Sequence, residues 1–160
     1  MPDDNANDVI QLLRHRFQSW ATPVAIADES SQLPNEPDVQ KLSAMIAHGG
    51  WTAVETTCGI LFPPLPLIDD TLFSYLLPGL LIAALRDDAW WEFILGLVNR
   101  IAEPWRKGAK PRLGIVVTAF SDEQLDAVVE ALRLISRLSF DDYPNIQRRI
   151  DAIIVSLQGN

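Results

Sequence analysis

The side chains of this chain that could ligate a metal or move a proton are few and dispersed. Three aspartate pairs, Asp69/Asp70, Asp87/Asp88 and Asp141/Asp142, offer carboxylates. Cys58 is the lone thiol, and His15 and His48 are the two imidazoles. Paired carboxylates can hold a hard cation or divide acid and base work across a scissile bond. Each pair, however, stands just before a segment of helical periodicity. There an acid caps free backbone N–H groups and meets the positive end of the helix dipole. Capping accounts for all three pairs without a metal. The two histidines lack the paired spacing of a zinc site. His15 lies between Arg14 and Arg16, and His48 precedes Gly49-Gly50 at a helix end, where a cation is favoured. A lone cysteine excludes an intrachain disulfide and fits a reducing compartment. No G-x-S-x-G elbow, phosphate loop or dinucleotide glycine pattern occurs. No residue is therefore assigned as catalytic, cofactor-binding or metal-ligating, and no cofactor is implied.

Composition narrows the class. The 160 residues are 48% apolar and 21% charged, an ordinary globular balance, and the net charge is −8. A negative field opposes nucleic acid and anionic membrane surfaces alike, because both are bound through positive charge. The acids are unevenly placed: residues 1–60 carry eight, against the three bases Arg14, Arg16 and Lys41. The N-terminal MPDDNANDVI has neither the basic nor the apolar region of a signal peptide. The apolar run Thr71–Leu85 is shorter than the roughly 20 residues a membrane span needs, and Pro78-Gly79 interrupts it. Together these features make a cytoplasmic location the expectation.

Apolar spacing then gives the elements. Val9, Leu12, Leu13, Phe17 and Trp20 recur at helical intervals after Asn7 or Asp8, with residues 1–7 expected to fray. Pro37 opens a second helix, lined by Val39, Leu42, Met45 and Ile46 and stopped by Gly49 and Gly50. Thr52 and Glu55 have capping-box spacing, which predicts a short helix over Ala53–Thr57. Pro63, Pro64 and Pro66 hold Ile60–Leu67 extended. Asp69 or Asp70 starts the uncharged central helix. Pro78 must interrupt its ladder, as a kink or as a stop and restart, before an end near Arg86. A fourth helix, Ala89 to about Ala102, turns Trp90, Phe93, Ile94, Leu97, Val98 and Ile101 inward. Ile115–Val117 is the best strand candidate but has no partner strand. Ser121 and Gln124 form a capping pair for a helix to about Leu138, with the stripe Leu125, Val128, Val129, Leu132, Ile135 and Leu138. Pro144 opens the last helix, lined by Ile146, Ile150, Ile153, Ile154 and Leu157. The expectation is an all-α fold: one domain over residues 1–160, a compact bundle of about six or seven helices around a Pro-broken central helix.

Three of these stretches carry a resemblance. Trp51 opens one segment, Tyr75-Leu76-Leu77-Pro78 leads to Leu81 and Leu85, and Phe120-Ser121-Asp122-Glu123-Gln124 starts a helix. In this, residues 51–138 resemble a widespread family of small uncharacterised bacterial proteins with an aromatic-Leu-Pro core helix and a Phe-Ser/Thr-x-Glu-Gln helix start. This chain departs by a second leucine before the proline. The resemblance implies a compact, mostly helical cytoplasmic protein and transfers no catalytic residue.

Two functional readings follow. The first is a non-catalytic protein-interaction module, an accessory or immunity-type binder whose partner is another protein. Its candidate surface is Trp105 with Arg106, Lys107, Lys110 and Arg112, a basic run on an acidic chain, joined by Trp91. Trp90 and Trp91 point about 100° apart on a helix, so Trp90 is expected in the core and Trp91 partly exposed. The alternative is an enzyme with a cryptic pocket lined by acids and aromatics. A deep pocket with converging polar groups favours the enzyme, whereas a flat patch rich in aromatics and acids favours the binder.

Overall fold

The uncharged segment between Asp70 and Arg86 folds as one helix, and its residues from Leu72 to Ala84 are buried on every side. A helix apolar all round is stable only when neighbours surround it, and the remaining elements do so. In the computed structural model the described residues are 4–20, 37–56, 68, 70–86, 91–101, 120–138 and 144–158. In chain order they form α1 (Asp4–Arg16), α2 (Pro37–Gly49), a 3-10 segment (Gly50–Val54), α3 (Asp70–Ala84), α4 (Trp91–Ile101), α5 (Asp122–Ser136) and α6 (Pro144–Gln158). No strand occurs among the described residues. The protein is all-α, as expected. Helix α3 packs against α1, the 3-10 segment, α4 and α5, while α6 rests on α5 and α4. Ile60–Leu67, Ile115–Val117 and the segment 21–35 lie outside the described residues.

Helix α1 begins at Asp4, so residues 4–7 are helical rather than frayed. Ala6 extends the buried row Ile10, Leu13 and Phe17 by one turn, and Asp4 places an acid in the first turn. Burial of that extra turn and a favourable dipole contact outweigh the polar composition on which the fraying expectation rests.

In α3, Pro78 lies within the helix, which continues to Ala84. The interruption affects the hydrogen-bond ladder: Pro78 offers no N–H to the carbonyl of Ser74. It does not stop the chain's course, so the stop-and-restart form does not occur. The surrounding helices hold the segment together.

The capping pair at Ser121 forms in both directions. Gln124 N donates to Ser121 Oγ at 3.2 Å, and Ser121 N donates to Gln124 Oε1 at 3.0 Å. The same Gln124 side chain donates from Nε2 to the carbonyl of Arg16, the last residue of α1, at 3.3 Å. One glutamine thus serves both the start of α5 and the last carbonyl of α1. Ser121→Ala is expected to cost about 1 kcal/mol of stability, the usual worth of such a cap, measured by urea unfolding. Helix α5 ends at Ser136, two residues before the expected limit, and leaves Leu138 43% exposed instead of in the buried stripe.

The Thr52/Glu55 capping box does not form. Thr52 Oγ1 donates backward to Gly49 O at 2.7 Å, and the local helix is a 3-10 segment over Gly50–Val54. Glu55 is instead bound by Arg14 of α1, with contacts of 3.2 Å from Nε and 2.7 Å from Nη2. A bidentate guanidinium–carboxylate pair is a stronger partner for Glu55 than one backbone N–H. The hydrogen bond to Glu55 raises the Arg14 pKa above its ordinary value, against a smaller lowering by burial.

Candidate functional site

Trp51, Tyr75, Phe120 and Gln124 meet the end of α1 at one junction, and each has a packing or hydrogen-bonding role there. Gly50 adopts φ 62°, a left-handed turn that ends α2 and brings Trp51 over α3. Trp51 N donates to Tyr75 Oη at 3.1 Å, and Trp51 Nε1 donates to Phe17 O at 3.2 Å. Trp20 Nε1 donates to Tyr75 O at 3.1 Å. Phe120 packs edge-on against Phe17, with centroids 5.4 Å apart, and lies equally close to Trp20. Glu123 pairs with Arg16 at 3.1 Å. Buried indole N–H groups need acceptors, and here backbone carbonyls of α3 and of the turn after α1 supply them. Sequence reasoning names Trp51, Tyr75, Phe120 and Gln124. It does not give the role of Trp20, whose acceptor lies in a distant part of the chain.

Beside this junction the 3-10 segment and α2 enclose a shallow groove of about 490 Å³, lined by Lys41, Ala44, Met45, His48, Gly49 and Ala53. Positions 41, 44, 45 and 48 form one row on α2, adjacent to the buried row Val39, Leu42 and Ile46. A methyl group at Gly49 would lie 3.2 Å from Ala53 Cβ, so the two walls are close at the corner. The floor is apolar, and the charged or titratable lining residues are Lys41 and His48. Among the described residues, no carboxylate lines the groove, although the chain has 21 acids and 13 lysines and arginines. Met45, expected in the buried stripe, is only half-buried, because its place on the helix turns it toward this groove.

The other candidate residues are dispersed. His15 is exposed in the last turn of α1, while Arg14 and Arg16 reach Glu55 and Glu123. His48 is exposed at the end of α2. Trp91 is half-buried at the start of α4, as expected. Asp70 opens α3, but Asp69, Asp87, Asp88, Asp141 and Asp142 lie outside the described residues, as do Cys58, Trp90, Trp105, Arg106, Lys107, Lys110 and Arg112. Among the described residues no three His, Cys, Asp or Glu side chains gather as a metal site would require. The cations at the edge of α4 serve structure. Arg100 Nη2 donates to Ile68 O at 2.8 Å and the guanidinium lies 5.6 Å from the Phe73 ring centroid. Arg149 Nη1 donates to Asn99 Oδ1, and burial lowers the Arg149 pKa.

These features define the protein as an all-α bundle with a buried central helix and an apolar, basic-rimmed groove on its surface. Among the described residues, no helix is long and apolar enough to cross a membrane. No protein-family model matches the chain, and no match is found among curated proteins or solved structures.

Proposed function

We propose that the protein is a non-catalytic interaction module, an accessory or immunity-type binder. In this reading the α2 groove receives an apolar side chain flanked by carboxylates from a partner protein. The groove itself carries the reading: an apolar floor accepts an anchor residue, and Lys41 and His48 at its edge favour an acidic neighbour of that anchor. The described lining is small and apolar between Lys41 and His48, which suits the seating of a side chain. The lone Cys58 and the acidic composition support a cytoplasmic location. The Trp51, Tyr75–Pro78 and Phe120–Gln124 pattern supports kinship with small uncharacterised bacterial proteins.

The test is a peptide array presenting leucine or phenylalanine flanked by glutamate, by glutamine or by lysine, probed with the full chain. The glutamate-flanked set is expected to be selected. Ala44→Trp, which fills the groove from an exposed position, is expected to weaken binding by roughly tenfold or more without changing the circular dichroism spectrum. Binding without preference among the three sets, or binding indifferent to Ala44→Trp, counts against the reading. A measurable turnover lost in His48→Ala with the fold intact would replace it with the enzyme alternative.

A further inference from the structure

The α5–α6 face carries a second groove, formed by elements other than those of the first. It holds about 310 Å³ and is lined by Arg133, Ser136 and Arg137 from the α5 side and by Asp151, Ile154, Val155 and Gln158 from α6. Two properties set it apart from an ordinary solvated face. The large hydrophobic residues exposed among the described residues, Leu138 at 43% and Val155 at 68%, belong to its two walls or adjoin them: Val155 lines the α6 wall, and Leu138 follows Arg137 at the end of the α5 wall. The walls also bear opposite charge: Arg137 stands on the α5 wall, beside an Arg133 that pairs with Glu130 of its own helix at 2.5 Å, and Asp151 stands on the α6 wall.

That arrangement is self-complementary. A two-fold axis places the α5 wall of one copy against the α6 wall of the other, and each contact then occurs twice. A partner of single charge sign would be repelled by one wall, whereas an identical copy presents the correct sign to both. Locally the arginines and acids are balanced, Arg133 and Arg137 against Glu130 and Asp151, so the groove is spared the acidic excess that opposes self-association at a net charge of −8. We propose that the α5–α6 groove is a self-association surface on which a second copy of this chain docks. Val155 is its exposed apolar contact, and Arg137 of each copy meets Asp151 of the other.

Sedimentation equilibrium of the full chain over a range of concentrations tests this. The wild type is expected to show a reversible dimer. Val155→Asp, Arg137→Asp and Asp151→Arg are each expected to weaken it by about tenfold or more, with the helical circular dichroism unchanged. The decisive sample is an equimolar mixture of Arg137→Asp and Asp151→Arg. Within either variant chain the two positions carry like charges. Across a two-fold contact between the two variants, opposite charges face one another at both places. The mixture is therefore expected to recover dimer that neither variant forms alone. A wild type that stays monomeric throughout overturns the proposal. So does a dimer indifferent to Val155→Asp, or a mixture that associates no better than its components. The outcome is independent of the α2 groove, which none of these substitutions touches.

Discussion

Replacing Gly79 with alanine is expected to destabilise the protein by about 2 kcal/mol, although alanine is the better helix former. Two effects oppose each other. In a helix interior alanine is favoured over glycine by about 1 kcal/mol. Against this, a Cβ at position 79 would stand 2.3 Å from the carbonyl oxygen of Trp51 and 2.7 Å from Val54 Cγ2. The first neighbour is backbone and cannot rotate away. It is also tethered, since Trp51 donates from N to Tyr75 Oη and from Nε1 to Phe17 O. Relieving the clash means moving the 3-10 segment off α3, which pulls on both hydrogen bonds and on the packing of Trp51 against Phe17. Overpacking a filled site costs 1–3 kcal/mol and sometimes more, so the steric effect wins. Urea unfolding of Gly79→Ala checks this, with Gly49→Ala as a comparison, because its nearest neighbour is a side-chain methyl at 3.2 Å. A Gly79 variant as stable as the wild type would mean that the 3-10 segment does not rest on α3.

This glycine marks the boundary of what the sequence discloses. Periodicity places α2, α4, α5 and α6 close to their actual limits, because their buried rows repeat at helical spacing and Pro37, Ser121 and Pro144 mark their starts. Pro78-Gly79 reads locally as a helix breaker, and its actual meaning is tertiary. The proline sits in a helix held together by its surroundings, and the glycine admits the backbone of residue 51 from outside. Glu55 shows the same limit. Its spacing from Thr52 favours a local cap, but Arg14, distant in sequence, arrives with two donors. The α2 groove has a faint sequence signal in Ala44 and Met45, apolar positions beside the row of Leu42 and Ile46. Periodicity alone does not separate a residue that faces the core from one that lines a surface depression. The basic run around Trp105, attractive by composition, lies outside the described residues.

Leu81→Ala is expected to cost between about 2 and 5 kcal/mol, the range for truncating a buried leucine. Leu81 is 0% exposed, and its neighbours in sequence, Leu80 and Ile82, are equally enclosed. A side chain lost there leaves a void that surrounding residues cannot easily collapse into, since α1, α4 and α5 and the 3-10 segment already press on α3 from several sides. The loss therefore combines the transfer energy of the removed carbons with the dispersion contacts of the cavity wall. Val155→Ala provides the contrast. Val155 is aliphatic and helical too, but 68% exposed, so its truncation should change the stability of the monomer by no more than about 0.5 kcal/mol. Both are measured by urea denaturation at a protein concentration low enough to exclude association. A Leu81→Ala loss below about 1 kcal/mol, close to that of Val155→Ala, would show that α3 is not the packed centre of the bundle.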